Sequence, residues 1–183
     1  MKIAVYCSSR EGLAPQYVES AQALGAWIGE HGHTLVYGGV KSGLMHTVAQ
    51  ATHDAGGTVV GVVPERFTHR TDPVVDQVIG CHDLGDRKTI MMDHADAFVV
   101  LPGGLGTIDE WISTLSQLIV NDGDQRSIVV VNTGGLYDHQ LAQLTATAHS
   151  PFARGKHIDM SIAVNTIEEL YVELEKISEN YEK

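Results

Sequence analysis

The chain has 183 residues, 43% of them hydrophobic, and a formal net charge of −11 at neutral pH. That length supports one sizeable core and is short for two independent ones, so the expectation is a single domain over residues 1–183. The acidic balance argues against broad contact with DNA, RNA or an anionic membrane, because a polyanion needs a basic face to replace its counterions; a small anionic ligand held by a local positive field stays open.

In chain order, the apolar run KIAVYC is followed by Ser8-Ser9 and an amphipathic stretch from Pro15 to His31. Next come TLVYGG, a helical pattern from about Gly43 to Ala55, and TVVGVVP. A polar loop with Pro64 and Pro73 leads to DQVIGC, then to the helical DRKTIMMDHA, whose Arg87 and Lys88 open a predicted helix. AFVVLPGG reads as a strand, the stretch to about Asn121 as a long helix with Asp109 and Glu110 in its first turn, and SIVVVN as a last strand before two further helical stretches. The tail after about Ile177 reads as loose. Short β-branched runs alternating with periodic helices are the pattern of buried parallel strands joined by crossovers. The expected fold is α/β: a doubly wound, Rossmann-like parallel sheet with helices on both faces. Cys7 and Cys81 lie in strand-like runs, which suits buried thiols in a reducing compartment. The N-terminal apolar run is too short for a signal-peptide core, and no run reaches the roughly 18 apolar residues of a membrane span. A soluble, unprocessed, cytoplasmic protein is expected.

Ligands of such sheets collect at the carboxyl ends of the strands. Three loops there are rich in Gly or Ser: Ser8-Ser9, YGGVKSGLM from Tyr37 to Met45, and PGGLGT from Pro102 to Thr107. Each precedes a helix, whose free N–H groups and positive dipole end favour an anion. Gly103, Gly104 and Gly106 would let the backbone approach a phosphate, and the Thr107 hydroxyl adds a donor. Neither the dinucleotide G-x-G-x-x-G nor a P-loop is present, which removes most support for dehydrogenase and ATPase readings. Cations at a helix start oppose the dipole, so Arg87 and Lys88 ask for an anionic ligand. Glu110, one turn beyond the glycines, is placed to reach a ribose hydroxyl or a water.

Together, YGGVKSGLM, DRK and PGGLGTIDE resemble the Lonely Guy (LOG) family of cytokinin riboside 5′-monophosphate phosphoribohydrolases, often labelled possible lysine decarboxylases. The most specific element, P-G-G-x-G-T-x-x-E, is matched by Pro102, Gly103, Gly104, Gly106, Thr107 and Glu110. No lysine sits in a context that marks a pyridoxal phosphate anchor. The resemblance implies hydrolysis of the N-glycosidic bond of a purine nucleoside 5′-monophosphate, with Arg87 and Glu110 as the essential pair and no metal or organic cofactor. It also implies substrate contacts from Ser8, Ser9, Gly38, Gly39, Gly43, Met45 and Lys88, from the PGGLGT residues, and from Ser116 two turns into the helix. Val40, His46 and Asp86 depart from the family's usual residues, which leaves the preferred base open. His46 and His53, seven apart, show no third ligand and read as solvated or packed; Tyr6, Tyr37, Trp27 and Trp111 read as core or interface. The alternative is a binding module of the same fold, a nucleotide or molybdenum-cofactor carrier that holds an anion without hydrolysing it. A homodimer or larger homo-oligomer is expected, because Ile108, Trp111, Ile112, Leu115, Leu118 and Ile119 make a wider apolar surface than one sheet face needs.

Overall fold

A computed structural model describes residues 1–121, 123–153 and 160–181. Among the described residues seven strands, β1 (Lys2–Tyr6), β2 (Thr34–Tyr37), β3 (Thr58–Pro64), β4 (Gln77–Cys81), β5 (Ala97–Val100), β6 (Ile128–Val131) and β7 (Ser161–Val164), form one sheet in the order β4-β3-β2-β1-β5-β6-β7. Every pairing is parallel. The helices are α1 (Pro15–Glu30), α2 (Gly43–Asp54), α3 (Leu84–Asp93), α4 (Leu105–Val120), α5 (Asp138–Ala148) and α6 (Ile167–Tyr181). Period-two side-chain alternation feeds two cores: Ile3 and Val5 pack with α1, α2 and α6, whereas Ala4 and Tyr6 pack with α3, α4 and α5. The strand order reverses between β1 and β5, where the two halves diverge and a crevice opens at the carboxyl edge.

Small residues bring α1 and α2 together. A Cβ added at Gly25 would lie 2.4 Å from the Val48 carbonyl oxygen, and one at Gly29 2.5 Å from the Ala55 Cβ. A side chain at either position would push α2 away from α1.

Several elements differ from the sequence expectation. β7 falls where only helical stretches are predicted: it is four residues long, lies at the sheet edge and buries only Val164, so it lacks the continuous apolar run of a central strand. Helix α6 continues through Tyr181 instead of loosening after Ile177. Helix α3 starts at Leu84, with the Asp83 carboxylate accepting from the Gly85 and Asp86 N–H groups at 2.8 and 2.9 Å. Arg87 is thus its fourth residue, and the helix start is capped by an acid. Asp109 and Glu110 are the fifth and sixth residues of α4, not part of its first turn. On that helix Trp111, Leu115 and Leu118 are core residues, so the apolar surface expected there narrows to Leu105, Ile112 and Val120, with Ile108 and Ile119 half-buried. Cys7 and Cys81 are buried free thiols. Among the described residues no helix is long and apolar enough to cross a membrane.

Candidate active site

A cavity of about 310 Å³ opens at the carboxyl ends of β1, β2, β3 and β5. Of the residues singled out from the sequence, Ser8, Ser9, Met45, Arg87, Gly104, Gly106, Thr107 and Glu110 line it. At its floor Arg87, from the second turn of α3, meets Glu110, from the second turn of α4: Nη2 donates to Oε1 at 2.5 Å. The side chains are 12% and 5% exposed. Gly38 makes room for the pair, since a Cβ there would lie 3.1 Å from the Arg87 Nη1. Burial pushes the Glu110 carboxyl above its ordinary range, and the guanidinium pulls it part of the way back. The Arg87 Nε is a buried donor with no protein partner among the described residues. Behind the pair the Tyr6 hydroxyl, whose pKa burial raises, bonds the Thr114 hydroxyl at 2.8 Å.

The start of α4 forms one wall. Gly104 is its N-cap and offers no side chain, and the first backbone bond runs from Ile108 N–H to the Gly104 carbonyl at 3.1 Å. The N–H groups of Leu105, Gly106 and Thr107 precede that bond and point out of the helix end. A Cβ at Gly104 or Gly106 would meet nothing within 4 Å, so these glycines border open space. Gly103 is tight instead: its Cβ would fall 2.1 Å from the Thr107 Oγ1, and its bareness lets Thr107 fold back over the turn.

The start of α2 differs. Glu11 Oε1 accepts from the Gly43 N–H at 2.9 Å and from the Ser42 hydroxyl at 3.1 Å, so an internal carboxylate already occupies this helix end. Gly39 and Gly43 have φ of 68° and 53°, and side chains there would overlap Val63 and the Arg10 carbonyl. They serve close packing of loops and do not line the cavity. Lys88 also lies outside it, with Nζ bonded to both Asp109 oxygens at 3.0 and 2.8 Å and to the Ser113 hydroxyl at 3.0 Å. Pro102 contributes only its carbonyl, which accepts from the Ser8 N–H at 3.2 Å. Ser116 is exposed on the outer face of α4, away from this cavity.

Lining residues that the sequence reading did not assign to the site are Cys7, Arg10, Val40, Phe67, Arg70 and Leu84. Of these only Val40 belongs to a motif, YGGVKSGLM. Arg10 and Arg70 stand on separate loops, and among the described residues neither guanidinium has a carboxylate partner. Two unpaired cations on one cavity of a chain with net charge −11 favour an anionic occupant.

A parallel sheet, a crevice at its strand-order reversal and an uncapped helix start beside an ion pair define a Rossmann-like α/β protein with a candidate ligand cavity at the carboxyl edge. A family model described as "Possible lysine decarboxylase" matches residues 45–174. The chain is 35% identical over 185 residues to the cytokinin riboside 5′-monophosphate phosphoribohydrolase LOG of Oryza sativa subsp. japonica, covering 99% of this chain and 75% of the relative. It is 34% identical to the phosphoribohydrolase of that name from Mycobacterium marinum, over 91% of this chain and 89% of the relative. The molybdenum cofactor binding protein of Rippkaea orientalis shares the fold, with a TM-score of 0.76 over 96% of both chains at 22% identity. The chain belongs to the LOG family of phosphoribohydrolases, whose model bears the lysine decarboxylase description.

Proposed function

We propose that this protein hydrolyses the N-glycosidic bond of adenosine 5′-monophosphate or an N6-modified form of it, releasing the free base and ribose 5-phosphate. The observation that carries the reading is the buried Arg87–Glu110 pair one turn beyond an uncapped helix start. The Leu105, Gly106 and Thr107 N–H groups and the Thr107 hydroxyl hold the 5′-phosphate. That places the ribose over Glu110. As the bond from C1′ to the base nitrogen breaks, its electron pair leaves with the base, which takes up a proton, and positive charge builds on the sugar ring. The Glu110 carboxylate stabilises that charge and accepts a proton from the water whose oxygen bonds to C1′. Arg87 fixes the carboxylate and sets a positive charge beside the sugar and phosphate. No cofactor enters this scheme.

A raised carboxyl at the cavity floor favours hydrolysis over mere carriage, since a carrier of an anionic ligand gains nothing from a buried acid facing it. Incubation with AMP, with an isoprenoid-adenosine monophosphate and with adenosine decides the matter by the base released. The nucleotides should be cleaved far faster than adenosine, because an empty phosphate site forfeits positioning energy. Absence of free base from both nucleotides would sink the proposal.

The working form is a cytoplasmic homodimer. Its location is supported by the two buried free thiols. Dimerisation is supported by the outer face of α4, where Leu105 is 83% exposed and Ile112 and Val120 lie on the same side as Ser116. A second copy seated there would bring Ser116 toward a neighbouring cavity. Light scattering on the wild type and on Ile112→Asp is the check, and a stable 19.8 kDa particle for the wild type would refute it.

A further inference from the structure

Phe67 is the one aromatic ring on the cavity wall among the described residues. It stands in a short 3-10 helix, Glu65–Arg70, that leaves β3 and is half-buried, with the Arg66 guanidinium 4.7 Å from its ring centroid. Along the carboxyl edge the loops follow the strand order: the α4 start after β5, Ser8-Ser9 after β1, Val40 and Met45 after β2, Phe67 after β3. Three strand spacings of about 4.8 Å put the Phe67 loop roughly 14 Å from the phosphate-binding helix start, with the Arg87–Glu110 pair reaching the floor between them. A nucleotide with its phosphate at α4 and its glycosidic bond over Glu110 therefore projects its base toward Phe67, Val40 and Met45.

The loop bearing Phe67 is tied to the β2–α2 connection. Lys41 N–H donates to the Arg70 carbonyl at 3.1 Å, Asp72 N–H to the Gly39 carbonyl at 2.9 Å, and Val40 and Thr71 form an antiparallel bridge. One side-chain tie adds to these: the His46 Nδ1 lies 2.8 Å from the Asp72 Oδ2, and Asp72 is 1% exposed. The other Asp72 oxygen accepts from the Val74 N–H at 3.3 Å. Loss of the imidazole would leave this buried carboxylate with only the Val74 N–H and the neighbouring Tyr37 hydroxyl, and would weaken the side-chain tie that supplements the loop's backbone bonds. His46 follows Met45, itself a cavity residue, on α2.

We propose that Phe67 is the platform on which the substrate's base stacks, and that His46, through Asp72, is the positioning residue that holds this platform over the cavity; this rests on the phosphoribohydrolase reading. Every purine presents a π face, so one ring at the base end recognises the base without hydrogen-bond readout. Calorimetric titration with AMP and with ribose 5-phosphate, which lacks the base, provides the test. Phe67→Ala should weaken AMP about tenfold to a hundredfold and ribose 5-phosphate by less than about twofold, with Phe67→Tyr close to wild type. Equal weakening of both ligands, or unchanged AMP affinity, overturns the platform. His46→Ala should weaken AMP selectively, by a smaller factor, and add little in a Phe67→Ala background. His46→Gln, which can still donate to Asp72, should restore binding. An effect of His46→Ala that persists undiminished without Phe67, or falls equally on ribose 5-phosphate, overturns the positioning role. If AMP binds through Phe67 but no base is released, the hydrolase reading fails and the platform stands.

Discussion

Two loops of this protein are alike in sequence and opposite in use. PGGLGT after β5 and YGGVKSG after β2 both carry three glycines and both lead into a helix at the same sheet edge. At α4 the helix start is uncapped, and the glycines nearest the cavity border open space. At α2 the corresponding position is filled by Glu11, and Gly39 and Gly43 are pressed against β3 and the β1 loop. One loop presents donors to a ligand; the other uses the same composition to pack the wall that faces it. Glycine content marks where a backbone comes close to something, and whether that is a ligand or another backbone is a tertiary matter.

The sharpest way to test this contrast is at the chemistry beside the open loop. Glu110→Gln should reduce base release by about 10²–10⁴-fold while changing nucleotide affinity by less than about tenfold, read from single-turnover rates and binding titrations. The wild-type acid limb of kcat/KM should lie above pH 4.5, the ordinary value, because burial raises this carboxyl; activity falls as pH drops through the raised pKa, and the limb should vanish in the variant. Retained turnover would remove Glu110 from the mechanism.

A change of glycine at each loop should then give opposite phenotypes. Gly106→Val adds bulk only to open space, so kcat/KM for AMP should fall about a hundredfold with thermal stability nearly unchanged. Gly39→Ala forces a side chain into a left-handed residue 2.4 Å from a Val63 methyl, and should cost about 1–3 kcal/mol in denaturant unfolding. If both variants lose stability alike, the two loops do not differ as described.

The smallest effect belongs to Glu11. Its carboxyl is held below the usual range by the Gly43 N–H first and the Ser42 hydroxyl second. A depressed folded pKa contributes stability that is present above the unfolded value and lost as pH falls through the folded one. Glu11→Gln should therefore lower the melting temperature slightly near neutrality, and the gap from wild type should close below pH 4.5. A gap that is constant with pH would show that charge at this cap is irrelevant.

The sequence by itself determined the fold class and the catalytic candidates. Its β-branched runs have to be buried on both faces, and a full P-G-G-x-G-T-x-x-E motif leaves little freedom in where its Thr107 and Glu110 lie along a strand–turn–helix unit. It did not determine β7, whose burial comes from its edge position and not from its composition. Nor could it separate Lys88 from Arg87: adjacent on α3, they point about 100° apart, so one meets Glu110 in the cavity and the other Asp109 outside it. Arg10, Phe67, Arg70 and the Asp72 partner of His46 were illegible for a related reason. Arg10, Phe67, Arg70 and Asp72 lie on loops without a motif, and only the parallel order β3-β2-β1-β5 brings those loops around one cavity. Local pattern governs which residues form a helix or a strand, whereas which side chains share a cavity depends on strand order and helix rotation, both set by packing between segments far apart in the chain.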